Sequence, residues 1–461
     1  MMKFWRRFGA AGLAAIMAAS LAGCGGTKVT ATEAGKEEKV AAEVPKFTDL
    51  KVGEDYTDIK ADLRFITHKT DLVDTTFQEY VKEFQKMYPG VTITYEGITS
   101  YADDIITRLT TGDWGDICMV PMQLDKNELK NYFVPYGDKT ELEKKYIMLN
   151  NFSYKNVVYG IPSAGNVQGI VYNKKVFKDA GITEIPKTPD EFLAALQKIK
   201  DNTDAIPLYT NFAANWTMTA WDAYITGSAT GDPDYANKGL IHSANPFEKR
   251  ADMTGPYAVY YVLYEAVAKG LTEEDPTTTD WEGSKGLMNN GKIATMALGS
   301  WSVVQMQLAG DHGEDIGYMP FPITVDGKQY VSASPDYNYG VNVNSSQDNQ
   351  IASMLYVKWL TEESDFSYDQ GGIPVCLGEK YPDVYKMFDG VKLVIDNPAP
   401  DGEETLYNDI NNDSEVGINV SPEGVSKILE AATTGTPTLD ELMADRNSRW
   451  TASQKKFGAI K

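Results

Sequence analysis

The feature that excludes most architectures is an alternation of two hydrophobic periods that begins at Ala61. "ADLRFITH" reads as a strand. "DTTFQEYVKEFQKMYPG" then reads as a helix, with Phe77, Val81, Phe84 and Tyr88 at helical spacing, Asp74 as its cap and Pro89-Gly90 as its stop. "VTITY" alternates as a strand. "SYADDIITRLTTGDWGD" gives a second helix, with Tyr101, Ile105 and Leu109 on one face, and "ICMV" gives a third strand. Strand, helix, strand, helix, strand predicts a mostly parallel sheet flanked by helices. The pattern returns after residue 155. "GIVYN", "IPLYT", "GKIATMAL" and "DIGYMPFP" read as strands, and "GPYAVYYVLYEAVAKG" as a helix. "TPDEFLAALQKIKD" is a helix with Thr188 as cap and Glu191 three residues on, the spacing of a capping box. The expected fold class is α/β, built as two lobes.

The N-terminus carries an address. Lys3, Arg6 and Arg7 precede "FGAAGLAAIMAASLAGC", an apolar run of small residues. That is the layout of a secretory signal, too short to span a bilayer comfortably. Its end, "LAGC", resembles the lipobox of bacterial lipoproteins, which implies that residues 1–23 are removed and that Cys24 is lipidated. A secretory signal with an accidental cysteine is the plainer alternative. Residues 24–60 are polar, with few large apolar side chains, and read as a tether of roughly 30–35 Å mean span. The expected location is extracytoplasmic, on the outer face of the cell membrane.

Composition narrows the partners. A formal net charge of -22 and the lack of a Lys/Arg cluster exclude a nucleic-acid binder, which needs a basic face. Beyond Cys24, only Cys118 and Cys376 remain, and both read as small buried apolar residues rather than a disulfide framework. No H-E-x-x-H, Walker loop or G-x-S-x-G elbow occurs, and His68, His242 and His312 stand in no nucleophile motif. No enzyme, cofactor or metal is therefore expected. "DINNDSE" has Asp409, Asn411 and Asp413 at calcium-loop spacing, but Ser414 replaces the needed glycine and Val420 the needed glutamate; it reads as a solvated acidic loop.

Several stretches, in order along the chain, resemble one family: the extracellular solute-binding proteins of ABC importers, in the carbohydrate-binding branch related to maltose-binding protein. They are "FQEYVKEFQKMYPGVTI", "LTTGDWGDI" (with Gly115 where the family has proline), "VVYGIP", "GIVYNKKVFKDAGI", "IPKTPDEFLAAL", "NNGKIATMALGSW" and "GTPTLDELMADRNSRW". The resemblance implies a hinged clamp. Its N-terminal lobe would hold 61–167 and 337–374, and its C-terminal lobe 168–336 and 375–461. It also implies a monomer that closes on a sugar, especially an oligosaccharide, and hands it to a separate membrane permease. A peptide or polyamine in the same clamp, or a cell-surface glycoside hydrolase, are the alternatives.

A sugar offers an apolar ring face and a rim of hydroxyls, which aromatic rings and amides or carboxylates can meet. Trp301, just past the end of the "GKIATMAL" strand, is expected to stack on it, with Gly299 and Ser300 removing bulk; the alternative is a plug in the core. Asn215 and Trp216 follow "IPLYT" on the cleft side, whereas Trp221, Trp359 and Trp450 read as core. Asn166 is a polar contact or a support for the crossover. Gln123 and His68 sit at strand ends, and each reads equally as contact or bystander. Asp336 and Tyr337 lie where the chain recrosses, as contacts or as a turn. Asp116 is expected to shape a turn.

Overall fold

The computed structural model describes residues 44–388 and 390–461. The signal, Cys24 and most of the expected tether lie outside them. The first three strands are β1 (Ala61–Thr67), β2 (Val91–Gly97) and β3 (Ile117–Val120). Three two-residue strands, β4 (Gly137–Asp138), β5 (Ser153–Tyr154) and β6 (Val157–Val158), form a small sheet of their own in the order β4-β6-β5. Next come β7 (Ile161–Pro162), β8 (Gly165–Asn173), β9 (Ile206–Leu208), β10 (Ile293–Gly299) and β11 (Ile316–Pro320). The last are β12 (Thr324–Val325), β13 (Lys328–Pro335), β14 (Asn338–Val341) and β15 (Lys392–Ile395).

The first large sheet has the order β2-β1-β3-β14-β7. Its opening pairs, β1 with β2 and β1 with β3, are parallel, as the alternation requires. β14 returns from the other lobe and runs antiparallel to β3. The second sheet has the order β12-β13-β8-β10-β9, with β11 also on β8 and β15 on β13. It is mixed: β8 crosses over from the first lobe and lies antiparallel to β10, β11 and β13, while β9 joins β10 in parallel. Direction is set by crossing strands here, not by strand-helix-strand units alone.

Helix Thr76–Met87 buries Phe77, Val81 and Phe84, and helix Tyr101–Thr111 buries Tyr101, Ile105 and Leu109, the faces that the spacing predicts. Asp74 does not cap the first; Thr75 occupies that position without a side-chain bond. Thr188 does cap helix Pro189–Asn202, but Glu191 reaches back to the Lys187 amide (2.8 Å) rather than to Thr188, so the box is half closed. "DINNDSE" is not a loop. It falls largely in helix Leu406–Asp413, with Ile410 and Asn411 buried. No helix among the described residues is long and apolar enough to cross a membrane.

Asp116 shapes its turn as expected. One carboxylate oxygen accepts from the Arg64 amide (2.9 Å), and the other from Ser345 (2.6 Å) and Asn349 (2.9 Å). Gly115 explains its own departure from proline. Its φ is +76°, and a Cβ there would sit 2.6 Å from the Arg64 carbonyl oxygen. Proline, locked near −65°, cannot take that place.

One core gathers around the first sheet and a second around the other. A third joins them, with Met148, Val167, Tyr318, Ile373 and Tyr385 buried together. Trp221, Trp359 and Trp450 are core, as read. Cys118 and Cys376 are buried free thiols, and burial pushes Cys376 up to about 12.

The tether expected over 24–60 does not hold for its described part. Residues 44–60 belong to the folded body, because Phe47 (0% exposed), Leu50 and Ile59 are buried in the first core. Phe47 meets Tyr136 edge-on at 4.9 Å and lies under the Lys358 ammonium at 4.8 Å. Few large apolar residues mark this stretch, and those few are the anchors. Phe47→Ala should cost about 3 kcal/mol in denaturant unfolding; a residue in a solvated tether would cost nothing measurable.

Candidate functional site

Three tryptophans meet in the second lobe, and each is the first residue of a helix: Trp216–Thr219, Trp281–Asn289 and Trp301–Leu308. Helical side chains lean toward the N-terminus, so a ring at the first position projects past the helix end. The centroids of Trp216 and Trp281 are 5.2 Å apart and nearly perpendicular. Trp301 stands 5.6 Å from each. Such pairs contribute about 0.5–1.5 kcal/mol each beyond their burial.

Local structure brings the three helix ends together. β10 is buried throughout and ends at Gly299. A Cβ on Gly299 would lie 2.6 Å from the Trp301 indole nitrogen, so glycine is what lets that ring fold back across the strand end. The loop carrying Trp216 is pinned at its base by Glu273, which accepts from the Thr210 amide (2.9 Å) and hydroxyl. Burial raises that carboxyl despite these bonds. The Ala213 amide donates to Thr279 (2.8 Å) and the Asp280 amide to the Tyr209 hydroxyl (3.1 Å), which ties this loop to the start of the Trp281 helix. Asp280 caps that helix, and the Lys285 ammonium lies 4.8 Å from the Trp281 ring. Trp301 and Trp281 are half-buried against the joining core, while Trp216 is 40% exposed and leaves the trio an open face.

A polar cluster lies where the chain crosses between the sheets. His68, one residue past β1, lies 4.4 Å from Tyr337 with the rings tilted by 37° and meets Tyr101 edge-on at 5.9 Å. Asp336 sits between β13 and β14, with Lys69 at 3.6 Å and His68 at 4.0 Å. Burial would raise the Asp336 carboxyl, but Lys69, His68, the Tyr337 amide and Asn166 outweigh it and hold it below its ordinary value. Burial, reinforced by Lys69, lowers His68 to about 3. The imidazole is therefore neutral at physiological pH, and its Nδ1 is buried without a hydrogen-bond partner among the described residues. A neutral ring can donate and accept, which suits a hydroxyl.

Ser300 connects the two groups. Its hydroxyl donates to the Asn166 side-chain oxygen (3.3 Å), accepts from the Val167 amide (3.2 Å) and meets the Tyr385 hydroxyl (2.8 Å). The structure thus joins Trp301 with Trp216, and Asn166 with Asp336, Tyr337 and His68. Asn215 is exposed beside Trp216, with φ +63°. Gln123 is exposed on the loop past β3, and its side chain makes no hydrogen bond among the described residues. Trp281 and Lys69 are additions that sequence reasoning missed. A signal for Trp281 existed: Asn215-Trp216, Asp280-Trp281 and Ser300-Trp301 each set a helix-capping residue type before a tryptophan. Asp113-Trp114 has the same look, yet Gly115 follows and the ring is buried.

His68 should stay neutral from pH 8 to about pH 4.5 in nitrogen-15 spectra of the folded protein. His242, raised by the Ala459 carbonyl and by Glu403, should titrate above the ordinary value. For a base whose folded value is depressed, the unfolded chain binds more protons, so His68 withdraws stability as pH falls from about 6.5 toward 3.

Comparison with known proteins fits this geometry. The model of the bacterial extracellular solute-binding protein family matches residues 69–365, well over half of the chain. A manno-oligosaccharide-specific solute-binding protein of Bifidobacterium animalis subsp. lactis, solved with mannotriose, is 47% identical, with a TM-score of 0.87 over 89% of this chain and 99% of that one. A second binding protein of an ABC transporter from the same organism, solved with mannobiose, is 48% identical, also with a TM-score of 0.87, over 89% of this chain and 99% of that one. The multiple sugar-binding protein of Streptococcus mutans is 23% identical over 82% of this chain and 84% of its own length. The two-lobed fold predicted from the alternation is the fold of these relatives, and the chain belongs to the bacterial extracellular solute-binding protein family.

Proposed function

We infer that this protein captures an oligosaccharide, with manno-oligosaccharides the first class to test, and delivers it to the permease of an ABC importer. The observation that carries the reading is the trio of indoles, linked through Ser300 and the buried Asn166 amide to a polar cluster that holds a neutral imidazole. Indole faces suit the C–H face of a sugar ring, and the groups around Asn166 and Asp336 suit its hydroxyls. The two relatives solved with mannobiose and mannotriose, both close to half identical, support the same class.

The lobes are read as 61–167 with 337–374, and 168–336 with 375–461, with residues 44–60 added to the first. Ligand binds one lobe, and closure adds contacts from the other; the closed form is favoured by its extra affinity for ligand. Trp301 and Trp216 form the floor, and Trp281 braces both. Asn166, His68, Asp336 and Tyr337 form the polar rim, with Asn215 and Gln123 at its edges. The protein acts as a monomer without catalysis. Cys24 carries the lipid that holds it at the outer face of the membrane; two or more acyl chains are needed for a stable anchor.

Titration calorimetry with mannobiose, mannotriose, other oligosaccharides, peptides and polyamines tests the reading. Heat with manno-oligosaccharides and unchanged sugar afterwards is the expected result. Binding of polyamines alone would replace the ligand class, and cleaved sugar would make the protein a hydrolase. Trp301→Ala should weaken mannotriose binding roughly tenfold or more, as truncated aromatic anchors do at about 2 kcal/mol. Its melting temperature should fall by only a few degrees, because the two ring pairs lost are together worth about 1–3 kcal/mol and Trp301 is only half-buried.

A further inference from the structure

On the proposed lobe division the chain changes lobe three times, after Val167, after Asp336 and after Pro374. Beyond the third crossing the short helical segment Asp383–Phe388 carries Tyr385, which stands outside both the indole floor and the polar rim. Its ring is buried with Tyr318 and Ile373 in the core that joins the sheets. Its hydroxyl lies 3.0 Å from the Gly371 carbonyl, in the first lobe, and 2.8 Å from the Ser300 hydroxyl, in the second. Ser300 in turn stands 3.3 Å from the Asn166 side-chain oxygen and accepts from the Val167 amide (3.2 Å), both at the first crossing. Asn166 is also a hydrogen-bond partner of Asp336, at the second. The Trp301 helix packs on the same spot: a Cβ on Gly371, whose φ is +67°, would lie 2.7 Å from Val304 Cγ2. Two buried hydroxyls thus reach all three crossings at the foot of Trp301.

Each hydroxyl has one proton to donate. Ser300 and Tyr385 therefore have two protons for three contacts: with Asn166, with each other and with Gly371. The protons can be ordered in two ways. In one, Tyr385 donates to Ser300 and Ser300 donates to the Asn166 oxygen. In the other, Ser300 donates to Tyr385 and Tyr385 donates to the Gly371 carbonyl. The Val167 amide can donate to Ser300 in both. A sugar hydroxyl that donates to the Asn166 oxygen competes with Ser300 for it. It thereby favours the second order, in which the bond to Gly371 is fully made.

We propose that Tyr385 is a positioning residue for ligand capture: its hydroxyl, acting through Ser300, couples the occupancy of Asn166 to the third crossing and seats Trp301 against it. The proposal rests on the reading of the chain as an oligosaccharide clamp and deepens it. Its physical basis is that the hydroxyl pair exchanges one acceptor for another and leaves no buried group unpaired, so the exchange is cheap. A bond that strengthens on binding adds to affinity, whereas a bond equal in the free and bound chain adds only to stability. That difference separates a positioning role from a purely structural one.

The test is Tyr385→Phe, which keeps the ring and removes the hydroxyl, in the full chain labelled with 5-fluorotryptophan. The Trp301 fluorine resonance is assigned by its loss in Trp301→Phe. In the ligand-free chain Tyr385→Phe should shift that resonance and leave those of Trp359 and Trp450, in the other two cores, in place. Calorimetry with mannotriose should show binding roughly three- to tenfold weaker, the size of one net hydrogen bond. Ser300→Ala should weaken binding as well, and the double variant should lose little more than Ser300→Ala alone, because the two hydroxyls act as one unit. A lower melting temperature with unchanged affinity makes Tyr385 a residue of the fold only and overturns the proposal, as do strictly additive losses. Either result leaves sugar capture intact. Should the unaltered protein bind no sugar, the oligosaccharide reading falls and the fluorine spectrum still decides the coupling: a shifted Trp301 resonance supports it, and an unmoved one overturns it.

Discussion

The site depends on how one serine is held. Ser300 directly follows a fully buried strand, and its amide donates to the Val167 carbonyl (2.9 Å) while its hydroxyl accepts from the Val167 amide (3.2 Å). That reciprocal pairing fixes the end of β10 against the strand that crosses between lobes. Trp301 follows directly, so the position of the indole is set by the crossover and not by a free loop. The same hydroxyl reaches Asn166 and Tyr385, and Tyr385 in turn donates to the Gly371 carbonyl (3.0 Å). Buried hydroxyl chains of this kind are costly when incomplete. A change at any member therefore moves the ring as well as the hinge.

The electrostatics of the polar cluster follow from burial. The chain is strongly acidic, yet the groups nearest the crossover are a lysine, a neutral imidazole and one carboxylate that the lysine compensates. The protein thus places a compensated carboxylate at the crossover, whereas Asp125 and Asp409 face each other as like charges.

Much of the fold was legible because periodicity is a local property. Phe77, Val81 and Phe84 face the core since helical spacing makes them one stripe, and Tyr101, Ile105 and Leu109 do so for the same reason. Strand direction in the second sheet was not legible, since it is decided by where β8 arrives from the other lobe. The folded stretch around Phe47 was missed because a few anchors in a polar segment leave no period to read. Trp301 and Trp216 could be found from their places after strands, whereas Trp281 opens a helix and follows no strand. Only the three-dimensional meeting of helix ends brings it to the other two rings. Lys69 was missed because its role depends on Asp336, far away in sequence.

The packing of Phe47 bears on where the body sits. With Cys24 lipidated as proposed, only residues 25–43 remain between the anchor and the first lobe. Fully extended, nineteen residues span at most about 65 Å. A lipid at Cys24 would raise the effective concentration of the body at the bilayer surface, so that docking on a permease would become nearly an intramolecular event. Weak affinity for that permease would then suffice, and fast release after delivery would come with it.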